Sequence, residues 1–156
     1  MKKKILALCL VCSMCASALF ALGIGLQGGT NVADNGQGSV DFTFKLNSQP
    51  FIFAVGIPSF EPLAIGFSAD YWLVNDNIAG PVNYFVGCGG FGSIFIGSDV
   101  LGLSIGGRIP LGLNMFFAKN VFELYLQMAP GFKIKLTNGI RPSFVCPANF
   151  GFRVWI

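Results

Sequence analysis

Period-two alternation of apolar and polar residues recurs along most of this chain and limits what it can fold into. Val40, Phe42, Phe44 and Leu46 fall on one side, with Asp41, Thr43 and Lys45 on the other. Ile65, Phe67, Ala69 and Tyr71 oppose Gly66, Ser68 and Asp70, and Leu101, Leu103, Ile105 and Ile109 oppose Gly102, Ser104, Gly106 and Arg108. Phe122, Leu124, Leu126 and Met128 oppose Glu123, Tyr125 and Gln127. Phe150, Phe152, Val154 and Ile156 oppose Asn149, Gly151 and Arg153. Neighbouring side chains of a strand point to opposite faces, so each segment reads as a strand with one greasy and one polar face. The pattern predicts eight strands, near 22–28, 38–46, 51–57, 64–73, 82–97, 101–117, 121–129 and 147–156. Turn residues separate them at Asn47 to Pro50, Asn75 to Pro81, Ser98-Asp99 and Lys119-Asn120. No segment reads as a long amphipathic helix.

Composition decides which face turns outward. The chain is 53% hydrophobic and 11% charged, against about 25% charged in a soluble domain. That charge cannot cover a soluble protein's surface. Asp41, Lys45, Asp70, Arg108, Glu123 and Arg153 lie within the predicted strands, each on the polar face. The remaining charges, Asp34, Glu61, Asp76 and Lys133 among them, are expected in loops. A basic side chain facing lipid at mid-membrane costs about 2–4 kcal/mol. A sheet with its apolar face to lipid and its polar face inward avoids that cost at every position. Closing the sheet removes edges that lipid could not hydrogen-bond. The expected fold is all-β: an eight-stranded antiparallel up-and-down transmembrane β-barrel over residues 22–156. Strands one, three and five alternate less clearly, and their inner face is expected to be glycine and alanine.

The barrel is expected to follow a cleaved signal peptide, residues 1–21. Lys2, Lys3 and Lys4 precede an apolar run from Ile5 to Met14, and small residues place cleavage after Ala18 or Ala21. Ten basic residues less those three lysines leave seven, against seven acidic ones, so the mature charge offers nothing to nucleic acid. Cys9, Cys12 and Cys15 have metal-like spacing but lie in the signal. Acylation at Cys12 or Cys15 is disfavoured by Val11 and Met14 just before them. A disulfide between Cys88 and Cys146 is left open.

The absence of histidine removes Ser-His-Asp chemistry and imidazole metal sites together. No G-x-S-x-G elbow occurs. The G-x-G-x-x-G matches at Gly23, Gly25, Gly28 and at Gly87, Gly89, Gly92 open no helix within a βαβ unit. No catalytic residue, metal or cofactor is expected. Asp41, Asp70 and Glu123 with Lys45, Arg108 and Arg153 read as a lumen ion-pair network, three charges of each sign. Tyr71, Trp72 and Tyr84 are expected in an aromatic girdle at the membrane interface.

Asn149, Gly151, Val154 and Ile156 have the spacing by which the outer-membrane assembly machinery recognises a terminal strand, without the usual closing aromatics. An even strand count puts both termini in the periplasm and the connections near 29–37, 57–63, 98–99 and 130–146 outside. The last carries Lys133, Lys135 and Arg141 and no acid, and is expected to be an exterior basic loop meeting anionic surface groups or a host ligand. The lipid bilayer is the other expected partner.

Three stretches carry a family resemblance: GGRIPLGLNMFF at Gly106 to Phe117, FELYLQMAPG at Phe122 to Gly131, and the closing FGFRVWI. They resemble small spirochaete outer-membrane barrels of uncharacterised function and cover under half of the mature chain. The resemblance implies an eight-stranded, OmpA- or OmpX-like barrel and brings no catalytic residues. The first functional expectation is an integral outer-membrane barrel with a structural or surface-interaction role. Ile156 stands where that family has an aromatic. The alternatives are a narrow pore or carrier of a small apolar ligand, a helical inner-membrane protein built on the uncharged run Asn77 to Ser98, and a soluble lipocalin-like barrel.

Overall fold

A computed structural model describes residues 22–33, 38–46, 49–60, 63–96, 101–136 and 140–156. The expected signal peptide and its cysteines, and the Ser98-Asp99 turn, lie outside the described residues. Eleven strands run in chain order: β1 (Leu22–Asn31), β2 (Gly38–Leu46), β3 (Phe51–Phe60), β4 (Leu63–Ala79), β5 (Val82–Ile96), β6 (Leu101–Arg108), β7 (Leu111–Phe117), β8 (Phe122–Met128), β9 (Gly131–Lys135), β10 (Arg141–Val145) and β11 (Pro147–Trp155). Three pairs are one strand each with a short interruption: β6–β7 at Ile109-Pro110, β8–β9 at Ala129-Pro130 and β10–β11 at Cys146. The result is an eight-stranded antiparallel barrel. No helix among the described residues is long and apolar enough to cross a membrane. Of the uncharged run behind the helical alternative, the described residues, Asn77 to Ile96, instead form part of the β4–β5 hairpin.

The strand register closes on itself. Stepping across partners from Gly23 leads through Lys45, Ile52, Asp70, Gly89, Arg108 and Gly131 to Val145. Gly23's other neighbour is Trp155, so one circuit is displaced from residue 145 to residue 155, ten positions along the same strand. Ten residues over eight strands correspond to a tilt of about 40°. A barrel of this strand number has an interior just wide enough for side chains.

The prolines explain the three interruptions. Proline has no N–H to give a ladder, yet its carbonyl still accepts. Gly87 donates to the Pro110 carbonyl at 2.8 Å, Ile109 to that of Pro130 at 2.9 Å and Ala129 to that of Pro147 at 2.9 Å. The sheet therefore passes through a seam of prolines without opening.

The same seam corrects the expected loop at 130–146. Pro130, Pro142 and Gly139 break the alternation that marks a strand, but β9 and β10 pair across five positions there. Lys133 and Lys135 lie on β9 and Arg141 on β10, so the exterior basic loop is wall instead. Asp76, also expected in a loop, belongs to β4, whose hairpin with β5 turns only at Gly80-Pro81. There Gly80 takes a left-handed φ of 55°. The observed β1 and β3 run to Asn31 and Phe60, beyond their expected ends.

Parity is kept round the barrel. Outward positions expose large apolar side chains: Phe67 and Leu73 at 63%, Phe132 at 67%. Inward positions bury polar ones, including Thr43, Glu123 and Arg153. Among the described residues Cys88 and Cys146 are free thiols. They sit on β5 and at the β10–β11 junction, which are not neighbours, so no disulfide joins them.

Candidate functional site

The site is the lumen, which falls into two regions. Strand pairing puts the chain ends and the turns near 49–50, 80–81 and 118–121 at one end. The connections between β1 and β2, β3 and β4, β5 and β6, and β9 and β10 leave from the other, the loop end.

At the terminus end, Glu123 is fully buried and its carboxylate gathers four groups. Lys45 Nζ at 3.2 Å and Asn114 Nδ2 at 2.9 Å donate to Oε1. Trp155 Nε1 donates to Oε2 at 3.2 Å, and Arg153 Nη1 stands 3.3 Å from the same oxygen. Two cations thus share one buried carboxylate. Aromatic faces take up the excess positive charge, since a ring's negative face attracts a cation. Lys45 Nζ sits 3.8 Å from the centre of the Trp72 ring, and the Arg153 guanidinium 3.9 Å from that of Tyr125. Trp72 in turn stacks on Phe85 at 3.8 Å, nearly parallel. Gly151 makes this packing possible: the Tyr125 ring occupies the space where a Cβ at 151 would go.

A hydrogen-bonded chain links this cluster to the rest. Tyr125 donates to Gln27 Oε1 at 3.0 Å, and Gln27 Nε2 donates to Asp41 Oδ2 at 2.9 Å. Farther toward the loop end, Arg108 grips Asp70 with Nε at 2.9 Å and Nη2 at 2.7 Å, and Nη2 also donates to Ser68 at 2.8 Å. A two-pronged guanidinium–carboxylate contact is both strong and directional.

Beyond Arg108 the packing loosens into a cup of about 120 Å³. Its lining includes Ser39, Ser59, Ser93, Ser104, Asn149 and Lys133. Ser93 and Ser104 pair at 2.7 Å. Lys133 and Lys135 share the inward parity of Gly131, and Arg141 stands opposite Lys135 in register. Lys135 Nζ lies 5.8 Å from the ring of Phe95, another residue of the lining.

The six charges expected in the lumen do face it, but not as three pairs. Asp70 pairs with Arg108, Glu123 holds both Lys45 and Arg153, and Asp41 is met by Gln27. With Lys133, Lys135 and Arg141, the inward parity carries six cations and three carboxylates among the described residues. Tyr71 and Tyr84 are outward and half-exposed, as a girdle requires, but Trp72 is 3% exposed inside the lumen. Trp72 has the parity of Asp70 and Trp155 that of Arg153, so the alternation itself carries the signal for both rings. The expected glycine–alanine interior fits β1 and β3 better than β5, which turns Phe85, Phe91 and Phe95 inward. Of the assembly residues, Asn149 and Gly151 face inward on β11, while Val154 shares the outward parity and Ile156 is exposed just past the strand.

No family model matches this sequence, and no curated protein does. Among solved structures, the crystal structure of Neisserial surface protein A is similar at a TM-score of 0.48, with 16% identity over 86% of this chain and 95% of that one. The closed register, rather than this likeness, establishes the barrel.

Proposed function

We propose that this chain is an integral outer-membrane β-barrel with a structural or surface-interaction role and no catalytic one. One observation carries the reading: the outer face of a closed barrel is apolar, and among the described residues buried charge lies in the lumen. Water would not favour that surface, and lipid does. A leader at residues 1–21, periplasmic termini and exterior connections near 34–37, 61–62, 97–100 and 137–139 belong to the same proposal. So does kinship with the small spirochaete barrels, which rests on the three stretches quoted above. Cell fractionation, followed by electrophoresis of unheated and boiled samples, tests it. The expected result is an outer-membrane band whose mobility shifts on boiling; recovery from the inner membrane would overturn it. An epitope tag beside Asn138 is expected to bind antibody on intact cells.

The transport alternative is favoured only by the cup, which leaves space at the loop end. The buried side chains around Glu123 argue against open conduction, and the expected result in a planar bilayer is no large, stable channel.

A further inference from the structure

We infer that the β9–β10 hairpin binds the phosphate headgroup of an anionic membrane lipid through Lys135 and Arg141. The inference rests on the barrel reading, which puts this hairpin in a bilayer, and adds to it a partner and the residues that hold it.

The first observation is charge. Lys135 and Arg141 are directly opposed in the β9–β10 register. Like charges so placed repel, and among the described residues neither side chain has a carboxylate partner. Lys135 is half-exposed, with its Nζ 5.8 Å from the centre of the Phe95 ring, and Arg141 is exposed. Lys133, nearby on β9, has an interaction of its own within the protein and takes no part in the inference. A single anion between the pair would replace their repulsion by two attractions. A phosphate suits it, because the guanidinium fork and the ammonium can each donate to separate oxygens.

The second observation is what surrounds the pair. Ile134 and Leu136 flank Lys135 on the outward face, 40% and 45% exposed, and Ile140 beside Arg141 is 76% exposed. Phe132 and Phe144 continue that face, their ring centres 5.5 Å apart. Apolar and cationic groups thus end at the same height of one hairpin, as the acyl chains and headgroup of a lipid meet at one height. Free phosphate would answer the cations alone, whereas a lipid answers both sets. The third observation is access. Both cations have inward parity, but β10 pairs with β9 only. On the other flank β1 accompanies that strand no farther than the bond from Val32 N to the Cys146 carbonyl, at 3.0 Å. Among the described residues, Arg141 to Val145 therefore have no strand on that flank, and a headgroup can enter from the membrane plane. Basic side chains beside a bilayer reach from apolar surroundings to headgroup level in this way.

The test is calorimetry on the full barrel in detergent, titrated with a short-chain phosphatidylglycerol. Phosphatidylcholine of the same chain length and glycerol phosphate are the comparisons. Folding is confirmed beforehand by the mobility shift on boiling, which separates failure of the inference from failure of the barrel reading. Phosphatidylglycerol is expected to bind about tenfold more tightly than either comparison, and less tightly as salt is raised. The double variant Lys135→Gln with Arg141→Gln is expected to remove the preference over phosphatidylcholine. The exchange Lys135→Arg with Arg141→Lys keeps both charges and is expected to retain it. Lys119→Gln, at the terminus end, controls for general charge and is expected to change nothing. Equal binding of the two lipids, glycerol phosphate as tight as phosphatidylglycerol, an unchanged preference in the double Gln variant, or an equally large effect of Lys119→Gln would each overturn the inference.

Discussion

The two halves of the lumen obey one rule and end in opposite states. In both, alternate residues of every strand face inward. At the terminus end those residues are Trp72, Phe85, Tyr125, Glu123 and Arg153, large enough to meet across the barrel, and nearly every polar atom of Glu123 is engaged. At the loop end Phe91 and Phe95 share the inward face with serine, glycine and asparagine, which are too small to fill it, and a cup of about 120 Å³ remains. Direction comes from the backbone, but filling comes from side-chain volume. One end is built for cohesion and the other leaves room.

The sharpest way to break this contrast is Glu123→Leu. It leaves Lys45 and Arg153 buried without a carboxylate, and the expected loss is about 3–5 kcal/mol, read from the shift in urea midpoint for the heat-modifiable band. A smaller shift would mean that the aromatic faces carry most of the work of holding the cations.

Arg108→Leu comes next. It strands Asp70 and is expected to cost about 3 kcal/mol, at the lower end of the range for a broken buried pair. Adding Asp70→Asn should recover much of it; no recovery would show that Arg108 acts through packing instead. Arg108 sits where the filled region meets the cup, so this variant probes the boundary itself.

Gly151→Val sharpens the claim about packing. Its side chain would enter the space of the Tyr125 ring, with an expected cost of about 1–3 kcal/mol. A second change, Tyr125→Leu, should relieve part of the clash. If it relieves none, the glycine is needed for assembly of the terminal strand rather than for room, and deletion of Val154 to Ile156 then becomes the informative experiment.

The smallest effect belongs to the cup. Ser59→Ala removes a hydroxyl that has no partner among the described residues, and stability is expected to stay within about 0.5 kcal/mol of the parent. A loss comparable to that of Gly151→Val would show that the loop end is as tightly built as the other.

Much of this was legible in the residues. The strands with clean alternation, β2, β8 and β11, stand where period two put them, with Lys45, Glu123 and Arg153 inward. What period two does not mark is strand whose own residues break the alternation. Pro130 and Pro142 read as a loop that would carry Lys133, Lys135 and Arg141. Proline removes one donor, but the neighbouring carbonyls and amides keep the ladder running. Asn75 and Asp76 suggested a turn where β4 continues with β5 beside it. In each case the partner strand supplied a stability that the segment's own composition does not advertise.

Period two and the scarcity of charge, both local properties, were enough to determine from the sequence a sheet with one apolar face and the orientation of that face. They do so because side-chain direction repeats every two residues and burial of charge in lipid is costly. Which groups meet was decided only by tertiary structure. Lys45 and Glu123 are 78 positions apart and Tyr125 and Gln27 98. A ten-residue displacement round the barrel, set by the register of every strand pair, brings them to one level. That displacement belongs to the closed sheet as a whole, and no single segment encodes it.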